Sequence, residues 1–308
     1  MASEFEKIER FVGMFSAPPP PLGPGDDACI LPLKAGRLCM TTDALVEGVH
    51  FSRKHFSLGE VGHKALAVNL SDLAAMGAAP DFWLCALGLP SRFGGRQLEA
   101  LARGMLPLAK RHRLKLLGGN LTASPLLSLT LSLGGWAQKP LLRSGAKAGD
   151  KLYVLGSLGE ASAGLWAMQR GLRVPARFLE AQRRPTPWVE AAQALSPHIH
   201  AAIDVSDGLL QDLGHMCTAS GLGVKLEASA LPISEALWRR FPKRALSFAL
   251  RGGEDYALLL AVSPQKAKRV EREWTPRTCP LSCVGSFIDL PGIWLDGRRV
   301  SARGFQHG

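Results

Sequence analysis

Five Asp-bearing stretches are spread along this chain: GDDACIL from Gly25, TTDALVEGVHF from Thr41, NLSDLAAMG from Asn69, IDVSDGL from Ile203 and GGEDYALLL from Gly252. A fold that brings them together makes a cage for divalent cations. Magnesium demands near-octahedral oxygen ligation, keeps several waters, and takes one or two protein carboxylates per ion alongside phosphate oxygens. So many acids point to several ions around one polyphosphate.

Asp72 is the sharpest of these signals. Residues 61–76 have helical character, and positions 61, 65, 68, 72 and 76, which share a face, are Val, Ala, Val, Asp and Met. A carboxylate on an apolar stripe costs several kcal/mol if buried unpaired, so it needs a cation or a strong hydrogen-bond network. Asn69 lies on the same side; capping of a neighbouring loop is the plainer alternative. In IDVSDGLLQDLGHM a strand over 201–205 meets a helix from about 208 to 219, which Gly221 stops. Asp204, Ser206 and Asp207 thus surround one strand-to-helix turn. A helix N-terminus attracts anions through its free N–H groups, although Ser or Asp there is also an ordinary cap. Thr41, Thr42 and Asp43 close a strand over 38–42 in a run of oxygen-bearing side chains, and His50 follows as a substrate contact or a structural histidine. Asp26 and Asp27, before an apolar strand at 28–31, read equally as a turn.

Gly118-Gly119-Asn120 after a strand at 114–117, Gly156 to Gly159 before a helix, and Gly252-Gly253-Glu254-Asp255 before a strand at 256–262 all read as turns where backbone approaches a ligand. Arg143 and Lys147 are candidates to meet phosphate, or are solvated charges. Neither GxxxxGK[ST] nor GxGxxG occurs, and GxSxG and HExxH are missing too. This sets aside P-loop and dinucleotide folds, acyl transfer and zinc hydrolysis, and no covalent nucleophile is assigned. Phosphoryl transfer fits better, because it demands positioning and charge neutralisation.

At 308 residues and 46% hydrophobic content the chain supports two domains. The polar stretch RSGAKAGD around 139–150 sets the boundary, giving 1–140 and 141–308, each mixed α/β (α+β). Residues 1–16 read as an amphipathic helix with Phe5, Ile8, Val12 and Phe15 on its stripe, followed by a stiff Pro18 to Pro21 linker. A helix over 97–110, a strand over 126–133, a strand over 152–155 and a helix over 160–169 complete the pattern, and 173–187 reads as an exposed connection. No run is long enough to span a membrane, and MASEFEKIER lacks the features of a secretory signal, so the expectation is a cytoplasmic protein with no membrane partner. The six cysteines read as reduced, core-packed thiols. Net charge is +11, but the basic clusters are scattered and aromatics are only 7%, so no nucleic-acid partner is expected.

Taken together, TTDALVEGVHF, KALAVNLSDLAAMGA, RSGAKAGD, IDVSDGLLQDLGHM and GGEDY, in this order, resemble the thiamine-monophosphate kinase family, sister to aminoimidazole ribonucleotide and selenophosphate synthetases. The resemblance covers nearly the whole chain. It implies a homodimer whose N-terminal mixed sheets pair across a two-fold, an N-terminal domain binding ATP and magnesium, and a C-terminal domain closing the active site. Carried over by motif, Asp27, Thr41, Thr42, Asp43, Asp72, Asp204 and Asp207 bind several magnesium ions; Gly119, Ser206 and Arg143 contact ATP; His50, Glu254 and Phe305 contact thiamine monophosphate. One departure stands out: the family's usual GGDT is Gly118-Gly119-Asn120-Leu121-Thr122 here. Asn120 keeps an oxygen ligand without its charge, which implies weaker affinity for one ion or a shift of that ion toward Asp43. The alternatives are a sister ATP-dependent synthetase and a nucleotide-binding regulator weakened at Asn120.

Overall fold

The computed structural model describes residues 4–16, 35–274 and 280–304. Asp26, Asp27, Cys29, Cys279, Phe305 and the 18–21 proline run lie outside the described residues. The chain divides into two compact units, Met1–Leu73 with Ala78–Lys139, and Ala74–Gly77 with Pro140–Gly308.

The first unit contains α1 (Glu4–Val12), β1 (Arg37–Val46), α2 (Leu58–Ala75), β2 (Ala79–Leu89), α3 (Gly95–Arg111), β3 (Lys115–Ala123) and β4 (Ser128–Ala137). Its sheet runs β1-β4-β2-β3, antiparallel except for the β2–β3 pair. Side chains alternate across a strand. One cross-sheet row, Asp43, Leu131, Cys85 and Gly119, therefore belongs to one face, and the next, Ala44, Thr130, Ala86 and Asn120, to the other. Leu131 and Cys85 are buried, whereas Ala44, Thr130, Ala86 and Asn120 are all exposed.

Helix α2 is buried along every residue from 61 to 70, so its apolar character extends beyond the single expected stripe. Small residues let it come very near α3: a Cβ on Gly104 would lie 1.9 Å from the carbonyl oxygen of Gly59, and one on Gly62 2.1 Å from that of Leu101. Helix α1 is shorter than the expected 1–16 span and packs through Phe11, which is buried; Phe15, in the turn that follows it, meets Trp83 edge-on at 5.1 Å.

The second unit contains β5 (Lys151–Leu155), α4 (Glu160–Arg170), α5 (Ala176–Arg183), α6 (Val189–Leu195), β6 (Ile199–Asp204), α7 (Leu209–Ser220), β7 (Gly223–Leu226), α8 (Glu235–Arg240), α9 (Ala245–Arg251), β8 (Leu258–Val262), α10 (Pro264–Glu273), β9 (Leu281–Ile288), β10 (Gly292–Leu295) and β11 (Arg298–Val300). Its sheet runs β11-β10-β7-β9-β5-β8-β6. Leu152, Val154, Ile203 and Leu259 from the sheet pack with Leu209, Leu213 and Met216 of α7. A second core gathers Phe178, Leu237 and Phe241 with Trp166 and Phe248.

Two expectations are corrected. Residues 173–187 are not an exposed connection: Pro175 precedes α5, which buries Phe178 in the aromatic core and also buries Gln182. The prolines bound this helix from outside, where a missing N–H costs nothing. Gly118-Gly119-Asn120 is not a turn either, because β3 runs on through it to Ala123 as the parallel partner of β2. Among the described residues no helix is long and apolar enough to cross a membrane; Cys39, Cys85 and Cys217 are buried free thiols, whereas Cys283 is exposed, against the core-packed expectation.

Candidate active site

In the first unit, β1 presents Thr41 and Asp43 on its inner face, and α2 brings Asp72 to them. The Thr41 hydroxyl donates to Asp72 Oδ2, and Asp43 and Asp72 are hydrogen-bonded to each other. Burial, then the charge of Asp72 and that hydrogen bond, push the Asp43 carboxyl up to about 6. Two half-buried carboxylates in mutual contact are costly without a cation, and their oxygens are the donors magnesium favours. Asn69 adds a fully buried carboxamide whose Nδ2 donates to the Ala65 carbonyl at 3.0 Å, while its Oδ1 has no hydrogen-bond partner among the described residues. The residues present fit a magnesium site. They are two acids, the number of protein carboxylates magnesium commonly takes beside water and phosphate oxygens; among the described residues no group of three or more His, Cys, Asp or Glu is gathered.

The raised Asp43 pKa has a sign. The folded protein holds this proton more tightly than the unfolded chain, so the stability it confers is complete below the ordinary carboxylate value of 3.8 and is lost as pH rises through about 6. Asp43→Asn removes permanently the cost of burying this charge and its repulsion by Asp72. It is expected to stabilise the metal-free protein by roughly 1–2 kcal/mol at neutral pH and by less at about pH 4.5. Calorimetric melts at the two pH values check this; an equal shift at both would mean that the Asp43 carboxyl is not raised in the folded protein.

Thr42, Asn120 and Gly119 are not brought to these carboxylates. Thr42 faces the opposite side of β1, where it donates to the Leu131 carbonyl at 3.1 Å and accepts from the Ser132 hydroxyl at 3.0 Å. Asn120 is exposed on that same outer face, and three strand spacings, about 14 Å, separate its strand from β1. A Cβ at Gly119 would lie 2.0 Å from the Cys85 carbonyl oxygen, so strand packing alone accounts for glycine there. His50 sits in the turn after β1 with Nδ1 accepting the Val46 N–H at 3.1 Å, which places the ring proton of the neutral form on Nε2.

In the second unit, β6 ends at Asp204 and the next four residues lead into α7. The GGEDY loop runs alongside: Glu254 N–H donates to the Ser206 carbonyl at 2.7 Å, and Tyr256 N–H to the Val205 carbonyl at 2.8 Å. Glu254 and Tyr256 adopt φ of 69° and 48°, a left-handed backbone that non-glycine residues rarely hold and that concentrates at functional sites. Ser206, Asp207 and Glu254 are thus assembled around one loop pair, with Asp204 buried at its base. Glu254 accepts from Gln182 of α5.

Three carboxylates in this unit were not assigned from the sequence. Asp212 Oδ2, rather than Ser206 or Asp207, accepts the free N–H groups of Asp207 and Gly208, each at 3.0 Å. Burial pushes its carboxyl up to about 7, against the lowering effect of those N–H groups. Asp255 accepts the N–H of Gly159 at 2.7 Å at the start of α4, and burial holds its pKa well above the usual carboxylate range. Asp150, which closes RSGAKAGD, is buried, accepts the Lys147 N–H at 2.9 Å and pairs with His200 Nδ1 at 2.9 Å. Arg143, in the same block, is exposed, and its carbonyl accepts the Ser220 hydroxyl at 3.1 Å.

Residues 25–137 match the N-terminal domain model of AIR synthase related proteins, and 147–292 the C-terminal one. The thiamine-monophosphate kinase of Salmonella typhimurium is 39% identical over 299 residues, covering 92% of this chain and 91% of that protein. The chain belongs to the thiamine-monophosphate kinase family. Its fold agrees with solved structures of that family. The enzyme from Stenotrophomonas maltophilia K279a superposes with a TM-score of 0.84 at 37% identity, over 91% of this chain and 92% of the other. AaThiL complexed with AMPPCP and TMP gives 0.81 at 29% identity, over 92% and 91%. The expected two-domain α/β class holds on both the domain models and these thiamine-monophosphate kinase structures.

Proposed function

We propose that this protein transfers the γ-phosphoryl group of ATP to thiamine monophosphate, giving thiamine diphosphate and ADP. Its family membership makes it an ATP-dependent phosphotransferase. The observation that carries the reading within this chain is the contact between Asp43 and Asp72, two acids held together on the inner face of β1 at an electrostatic cost. In the proposed step an oxygen of the acceptor phosphate attacks the γ-phosphorus in line as the bond to the β–γ bridging oxygen breaks, and ADP leaves with that electron pair. The acceptor oxygen is already anionic, so no general base and no covalent nucleophile are required.

Asp43, Asp72, Asp204 and Asp207 are the described residues we assign to magnesium, with Thr41 orienting Asp72 and Asp27 joining them from outside the described residues. Bound magnesium would neutralise the charge on two polyanions that must meet. Ser206 and Arg143 are assigned to the nucleotide, and Glu254, His50 and Phe305 to thiamine monophosphate. Gln182 holds the Glu254 carboxylate and so sets its direction. The outer face of the first sheet, with exposed Met40 and Ala44, is assigned to pairing with a second copy. Thr42, Gly119 and Asn120 share that strand region, and their roles rest on the family pattern alone.

Asn120, which the family pattern alone puts in the metal set, is tested separately. Asn120→Asp is expected to lower the magnesium concentration at half-maximal rate by about threefold to tenfold, since a charged ligand replaces a neutral one; an unchanged requirement removes Asn120 from the metal set. The whole reading is tested by incubating purified protein with magnesium, ATP and thiamine monophosphate and following ADP and thiamine diphosphate by chromatography. One thiamine diphosphate per ADP supports it. Nucleotide binding without product sinks it and favours a sister synthetase or a regulator.

A further inference from the structure

Gln211, on the first turn of α7, uses both ends of its carboxamide. Its Nε2 donates to Asp207 Oδ2 at 3.0 Å, and its Oε1 accepts the Gly304 N–H at 3.0 Å. Only one orientation of the amide serves both partners, because the oxygen must face an N–H donor and the NH₂ must face a carboxylate. The chain segment that carries Gly304 is closely seated: a Cβ there would lie 2.2 Å from the Asp207 carbonyl oxygen and 2.9 Å from the Gln211 Cβ. The Asp207 backbone is fixed independently, through its N–H to Asp212 Oδ2 at 3.0 Å. Its carboxylate is the part with rotamers to choose from, and Gln211 chooses.

We infer that Gln211 is a positioning residue that couples the seating of residues 301–304 to the orientation of the Asp207 carboxylate. The meaning of that carboxylate rests on the proposed function; the coupling itself does not. When the segment is seated, Gly304 occupies the amide oxygen and the amide N–H is aimed at Asp207. When it lifts, Gln211 loses one anchor and Asp207 loses its restraint. Coupling of this kind is reciprocal, so binding at Asp207 must tighten the hold on Gly304 by the same factor.

The test uses the full-length protein and two variants. Hydrogen exchange of the C-terminal peptide, read by mass spectrometry, follows the Gly304 amide with no ligand and then with magnesium and AMPPCP. Gln211→Leu removes both hydrogen bonds and is expected to speed Gly304 exchange about threefold to tenfold without ligand. Magnesium with AMPPCP is expected to slow that exchange further in the parent protein and not in the Leu variant. Gln211→Glu keeps an acceptor for Gly304 but sets a second carboxylate against Asp207. It should retain the ligand-free protection and bind magnesium with AMPPCP about tenfold more weakly by calorimetry.

Equal Gly304 exchange in all three proteins, or ligand-induced protection that persists in Gln211→Leu, overturns the coupling. Should the Leu variant fail to fold, the Glu variant decides: unchanged calorimetric affinity overturns the inference. Failure of the parent protein to make thiamine diphosphate, with the exchange coupling intact, would overturn the proposed function and leave this inference standing.

Discussion

Asp72→Ala is expected to cut thiamine diphosphate formation by at least about a thousandfold at saturating substrates, a loss of about 4 kcal/mol of transition-state stabilisation. Asp72 is held by α2, a helix buried on all sides over residues 61–70, and its carboxylate is fixed by the Thr41 hydroxyl. Asp43 would remain, its carboxyl still raised by burial, the larger cause, but relieved of the repulsion from Asp72. The variant should therefore melt no lower than the parent without metal while losing turnover. Steady-state kinetics with a parallel calorimetric melt separate the two effects; near-parental turnover would remove Asp72 from the machinery.

Gly104→Val is expected to destabilise the protein by about 3 kcal/mol or more. A Cβ at 104 would fall 1.9 Å from the Gly59 carbonyl oxygen and 2.6 Å from its carbonyl carbon. These are backbone atoms of α2 and cannot turn aside, so α2 and α3 must move apart. Helix propensity alone predicts the opposite sign, since Val is a better helix former than Gly by a few tenths of a kcal/mol. Urea unfolding decides between them. A midpoint at or above that of the parent would mean that the helices do not approach so closely.

Part of the site was legible because single windows carried it. A carboxylate in the apolar run of α2, a strand ending in Thr41 to Asp43, and DVSDG before an apolar helix are local patterns, and the structure gathers Thr41, Asp43 and Asp72, and Ser206 with Asp207 and Glu254. What stayed hidden depends on partners distant in sequence. Nothing in NLTA says that β3 runs parallel to β2 and turns Asn120 outward, and nothing near Gly159 says that Asp255, far along the chain, will cap α4. Asp212 was hidden differently: its spacing from Gly208 is the pattern of a carboxylate reaching back over a helix start, but Ser206 and Asp207 stand nearer that start and fit a cap equally well in sequence. Strand alternation was readable, and it separates Thr42 from Asp43 without any structure.

Helix α5 carries a practical consequence. Its sequence, flanked by prolines and arginines, resembles the pliable stretch where a protein engineer would place an epitope, a cleavage site or a fluorescent insert. With Phe178 locked into the aromatic core and Gln182 gripping Glu254, an insertion between Pro175 and Arg184 would pull on the loop assigned to the acceptor. Graft sites in this protein belong at exposed turns such as Asp296-Gly297, away from that helix.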